Sequence, residues 1–91
     1  MSFKQASVDE IHIFTICKEV GPSWRDLGTI LKIDSALMDS IEANHSDCRE
    51  LARKVLHKWK QREGSRATVE ILIDALEKIE RRDVVDKLRG M

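Results

Sequence analysis

Apolar positions recur along this chain at helical intervals, not in strict alternation. Ile13, Ile16, Cys17 and Val20 fall at i, i+3, i+4 and i+7 and predict the buried face of a first helix, stopped by Gly21-Pro22. Ahead of it, Ser7-x-x-Glu10 has the form of a capping box. Trp24, Leu27, Gly28 and Leu31 repeat the spacing on a second helix, for which Ser23 is the expected cap. Asp34 opens a short third helix, with Ile33 placed as a staple before it and Met38 and Ile41 inward. The longest pattern starts near Ser46 or Asp47, carries Cys48, Ala52, Val55, Leu56 and Trp59 as its stripe, and stops at Gly64. Ser65 is positioned to cap a fifth helix with Thr68 or Val69, Leu72, Ala75, Leu76 and Ile79 facing in. A sixth, from about Arg82 to Arg89, turns Val84, Val85 and Leu88 inward and ends at Gly90.

With one proline, four glycines and no run of period two, strand signals are nearly absent. Amphipathic helices joined by connections of a few residues pack mostly antiparallel around one core. The expectation is an all-α, six-helix antiparallel bundle, a single domain over residues 1–91 with its core at about 8–90. A chain this short buries roughly 60% of its unfolded surface, enough for one modest core. Trp24 and Trp59 both lie on apolar faces and are read as pillars of that core, since an indole is among the largest apolar surfaces available. Phe14 and Leu37 sit beside the inward positions, at the core edge or available to a partner.

Charge changes the picture more than composition does. Sixteen basic and sixteen acidic side chains cancel, but unevenly along the chain. Residues 1–46 carry four basic and seven acidic groups (−3), residues 47–66 seven and three (+4), and residues 67–91 five and six (−1). One basic element in an acidic remainder suits electrostatically steered association with a copy or relative. No apolar run approaches the ~18–20 residues that span a bilayer, and the N-terminus lacks a signal-peptide core. Two cysteines are too few for a disulfide scaffold. The chain therefore reads as soluble and cytoplasmic, without membrane insertion.

Candidate chemistry is sparse. His45 and Cys48 form H-x-x-C, half of a zinc-like spacing with no second pair, and Cys48 fits the apolar stripe better. His12 falls off the inner face of the first helix, and His57 sits among basic residues on the fourth. No serine or cysteine is framed with a histidine and a carboxylate as a nucleophile requires. "EGSRAT" lacks the G-K-[ST] ending of a phosphate-binding loop. The reading is no enzyme, no cofactor and no metal. The run Arg49, Arg53, Lys54, Lys58, Lys60 and Arg62 could track phosphates in a helical nucleic-acid-binding domain. Against that stand a pI near 6.8 and the interruptions at Asp47, Glu50 and Glu63. No nucleic-acid partner is expected; a protein-binding face is.

Trp24, Leu27 and Leu31 in W-x-x-L-(x)3-L, then "DSIEAN", "VLHKW", Gly64, "ATVEIL" and Asp-Val-Val before Leu88, follow one another in an order that resembles the death domain family. The resemblance covers about residues 8–90. Within the family, "ICKEVGPSWRDLGTILKIDSALMDSIE" and "LHKWK…ATVEILIDAL" are similar to the FADD-type adaptor subfamily, in which arginine follows the helix-two tryptophan as Arg25 follows Trp24. "LEKIERRDVVDKL" is more similar to ankyrin-type members, and Asp26 and Thr29 stand where the adaptor type is basic. The adaptor's companion death-effector domain is not in this sequence, so the chain would be an excised fragment or a stand-alone module.

The resemblance implies a six-helix module of apoptotic or innate-immune signalling. Its partners would be other death-domain proteins, receptor tails or adaptors, with self-association open. It further implies that surfaces on helices one and four, on helices two and three, and in the loop after helix four meet different surfaces on neighbours. Contacts of that heterologous kind build helical oligomers. A receptor or ankyrin-like cytoskeletal linker is the alternative parent. The expected partner-binding residues are Arg49, Arg53, Lys54 and Lys58 on the basic helix. Opposite them stand Arg25, Asp26, Asp34, Leu37, Asp39 and Glu42 on helices two and three, with Lys32 the one base among residues 26–42.

Overall fold

The computed structural model describes residues 8–90. Its helices are α1 (Glu10–Val20), α2 (Trp24–Ile30), α3 (Ser35–Asn44), α4 (Cys48–Glu63), α5 (Val69–Lys78) and α6 (Arg82–Arg89). Short 3-10 turns occupy Gly21–Ser23 and Gly64–Arg66, and no strand occurs among the described residues. The all-α architecture expected from the sequence is what the chain adopts. Helix α4 is the axis: α1, α2 and α3 all pack on it, while α6 closes against α1 and α5.

Trp24, Leu27, Leu31, Ile41, Leu56, Trp59, Leu72 and Leu76 are all buried, as their spacing requires. The inward faces are nevertheless wider than single stripes. Leu51 and Ile73, which the periodic reading omits, are buried. Cys48 and Ile79 are half-buried at the margin instead of inside. Packing of α4 against three helices explains its broad apolar face, because each neighbour covers a different side.

His12 is buried, contrary to its expected place off the inner face. Its ring turns back to the start of α1, where the Asp9 N–H donates to Nδ1 at 2.9 Å. Asp9 is the residue that precedes this helix, and the expected cap at Ser7 lies outside the described residues. Two other expected serine caps are corrected. Ser23 makes no capping bond to α2; its Oγ accepts from Arg81 at 3.1 Å. Helix α5 is capped by Thr68, whose Oγ1 accepts the Ile71 N–H at 3.4 Å, while Ser65 lies in the preceding 3-10 turn. Asp34 and Asp47 cap α3 and α4 as expected, accepting from Ala36 N and Arg49 N.

The C-terminal ends of helices are closed in two ways. Lys32 (φ 63°) and Glu80 (φ 62°) adopt the left-handed conformation usual for glycine. Behind them, Ile33 N donates to Gly28 O at 2.9 Å and Arg81 N to Leu76 O at 2.8 Å. Arginines from distant sequence supply the rest. Arg62 donates to Leu31 O and Lys32 O at 2.6 and 2.7 Å, sealing α2. Arg81 donates to Val20 O and Glu19 O at 2.9 and 2.8 Å, sealing α1, and is held in turn by Asp83. At Gly28 a Cβ would meet Met38 Sδ at 2.6 Å and Val55 Cγ1 at 3.2 Å, so its bare backbone sets how closely α2 approaches α3 and α4.

Candidate interaction surfaces

Two exposed regions differ from the rest of the surface. The first is a groove of about 370 Å³ between α1 and α4, lined by Glu10, Ile13, Phe14, Cys17, Lys18, Arg49, Glu50 and Arg53. Its floor is apolar because Ile13 and Cys17 are core residues. Burial pushes the Cys17 thiol up to about 12, so it stays protonated and inert there. Phe14 rises at the rim with 60% of its surface exposed, one turn after Ile11 at 55%. On the α4 wall stand Arg49 and Arg53. At the mouth Glu10 reaches across to His57 Nε2 at 3.0 Å, tying the two helices together.

Elsewhere most arginines are engaged. Arg25, Arg62, Arg81 and Arg82 all pair with carboxylates, as do Lys78 and Lys87. Arg49, Arg53, Lys54 and Lys58 are exposed and make no ion pair with any described residue. The structure divides this basic stripe. Arg49 and Arg53 line the groove. Lys54 follows about 100° further round the helix, and neither it nor Lys58 lines the groove. Arg62 is turned to the end of α2.

The second region is the corner of α2 and α3. Here the expected acidic group is not a simple patch. Arg25 extends from α2 to Asp39 at 2.5 Å and to Glu42 at 3.4 Å, so these two α3 carboxylates are partnered within the chain. The guanidinium also lies 5.8 Å from the centroid of the Trp24 ring, and the hydrogen bond to Asp39 holds it still more firmly cationic. Counting bases only within residues 26–42 overlooked this contact, since Arg25 lies just outside. Asp26 makes no ion pair among the described residues, and Asp34 is occupied as a cap. Lys32 is exposed on the turn after α2. Leu37 is half-buried against the core and offers little free surface. One turn along α2 from Asp26 stands Ile30, 37% exposed, which the periodic reading passed over. Its signal was present: an isoleucine off the Trp24–Leu27–Leu31 face, four residues from an unpaired aspartate.

His45 and Cys48 are joined by no further ligand type; no group of three or more His, Cys, Asp or Glu that could hold a metal occurs among the described residues. No helix among them is long and apolar enough to cross a membrane.

Comparison with known proteins agrees with this architecture. The family model described as "Death domain" matches residues 10–91. Mouse "Tumor necrosis factor receptor superfamily member 10B" is 32% identical over 85 residues, covering 90% of this chain and 22% of that protein. Human "FAS-associated death domain protein" is 38% identical over 72 residues, covering 78% and 35%. Human "THO complex subunit 1" is 29% identical over 85 residues, covering 93% and 13%. The chain thus spans about a third or less of the length of these relatives. Death domains are non-enzymatic modules that bind one another. With the family match running from the start of α1 to the last residue, this chain belongs to the death domain family.

Proposed function

We propose that this chain is a single homotypic docking module, of adaptor type, that assembles a cytoplasmic signalling complex of apoptosis or innate immunity by gathering copies of itself or related domains. In that role it scaffolds, raising the local concentration of attached effectors, and catalyses nothing. The adaptor role is supported by the 38% identity to the human FAS-associated protein, and a receptor-tail role by the 32% identity to the mouse receptor. The observation that carries the docking reading is a double complementarity. The α1–α4 groove offers two unpaired guanidiniums beside exposed Phe14, and the α2 corner offers unpaired Asp26 one turn from exposed Ile30. We read Ile30 of one molecule as entering the apolar floor of a neighbour's groove while Asp26 meets Arg49 or Arg53. Burial in the complex would then strengthen a charge pair that is weak in open solvent.

The test separates the groove-lining cations of α4 from its other cations. Arg49→Glu with Arg53→Glu should weaken association roughly tenfold and flatten its salt dependence. Lys54→Glu with Lys58→Glu makes the same change in net charge outside the groove and should act far less. Equal loss from both pairs would mean non-specific attraction, and no loss from either would move the interface to another face. Titration against duplex DNA completes the experiment. Steeply salt-dependent duplex binding lost in both variants would favour the nucleic-acid reading instead.

A further inference from the structure

We propose that Arg25 is an intramolecular competitor: by holding Asp39 and Glu42 in cis, it withholds the α3 carboxylates from basic partners. Its consequence for assembly rests on the docking reading above, whereas the masking itself does not.

The geometry is specific. Asp39 and Glu42 are three residues apart on α3 and share a face. Arg25 meets them from α2 with one Nη each, Nη2 to Asp39 and Nη1 to Glu42. Its stem follows directly on buried Trp24, and its guanidinium stands 5.8 Å from that ring's centroid, which aims it toward α3. Two carboxylates bridged by one guanidinium present a net charge of −1 where a partner would otherwise meet −2. All three side chains are open to water, at 39%, 67% and 56% exposure. An exposed pair of this kind is weak enough for an incoming cation to displace. The contact therefore sets a threshold for binding at the α3 face, leaving Asp26 as the acid immediately on offer.

Lys32 is the internal control. It is an exposed cation that makes no ion pair with a described residue, so Lys32→Gln alters net charge without unmasking α3. The probe is a tetralysine peptide, followed by NMR titration of the Asp39 and Glu42 side-chain carboxyl signals. Arg25→Gln should bind it roughly two- to fivefold more tightly than wild type, with both signals moving. Lys32→Gln should show a smaller change spread over the surface. Arg25→Lys, which keeps the charge but loses the planar fork, should fall between wild type and Arg25→Gln and carries the test should the glutamine variant melt early. An Arg25→Gln response no larger than that of Lys32→Gln, or weaker binding by it, overturns the proposal. A second arm measures association with a copy bearing Asp26→Lys, which retains its groove. Unmasking seen with tetralysine but no gain in this arm would overturn the consequence for assembly and leave the masking standing. The docking reading, which uses Asp26, is tested separately by the Arg49→Glu with Arg53→Glu pair.

Discussion

Cys17 lies at the floor of the α1–α4 groove, and burial lifts its thiol from an ordinary 9.0 to about 12. Unfolding releases that thiol to ionise near 9, so between pH 9 and 12 the folded chain holds one proton more than the unfolded chain. Stability is therefore full below pH 9 and falls by about 1.4 kcal/mol per pH unit above it. Urea titrations at pH 8, 9 and 10 should show this slope, and Cys17→Ala should remove it while costing some packing; an unchanged slope would refute the assignment. On the acid side the sign reverses. The hydrogen bond from Arg81 holds Asp83 below its ordinary 3.8, so its contribution exists above that value and fades as pH falls. At this scale periodicity is a good guide to Trp24, Leu56 and Leu72, which lie where their spacing puts them, but it omits buried Leu51 and Ile73 and sets Ile79 too deep. It failed for His12, whose position is decided by one hydrogen bond to the Asp9 amide, a local choice that no spacing encodes.

Elements were legible in kind and order but less so at their ends. Gly21 and Gly64 mark the ends of α1 and α4 with positive φ, as their identity suggests. The ends of α2 and α5 are closed by Lys32 and Glu80, residues that carry no sign of a left-handed conformation in their type. Serine misled twice, because Ser23 and Ser65 sit in 3-10 turns: the Ser23 hydroxyl accepts from Arg81, and Thr68, next to α5, takes the cap expected of Ser65. How near two helices lie also turns on a single position. Gly28→Val would drive side-chain atoms into Met38 and Val55, and overpacking of that kind should cost about 1–3 kcal/mol, offset only partly by the better helix former. A thermal melt reads it directly. A variant as stable as wild type would mean that α2 shifts away at no cost, with the α2–α3 corner rearranged.

For the molecule as a whole, blockwise counting of charge located the basic element and its acidic counterpart, and in that sense both surfaces were readable. What it could not supply is partition: which cations face α1, which face away, and which carboxylates are already engaged. Arg53 and Lys54 are neighbours in sequence yet only Arg53 lines the groove, and Asp39 and Glu42 are acidic in composition yet bridged by Arg25. The same distinction applies to arginines that leave the surface. Arg81→Lys keeps the charge but cannot reproduce a fork that reaches Val20 O, Glu19 O and Asp83 together, and should cost about 1.5–3 kcal/mol. A denaturant midpoint within error of wild type would show that water replaces those bonds freely.

That clamp gives the chain a direction in time. Val20 and Glu19 wait for a donor that lies 61 and 62 residues downstream, and α2 waits about half as long for Arg62. During synthesis the amino-terminal helices emerge with their last carbonyls open and their apolar faces uncovered. The end of α2 can close once α4 has emerged, but the end of α1 stays open until Arg81, just ahead of α6, has left the ribosome. Folding is then all or nothing at the level of the whole domain, and a product stalled or cut before Arg81 is material for chaperones and proteases rather than a smaller working domain.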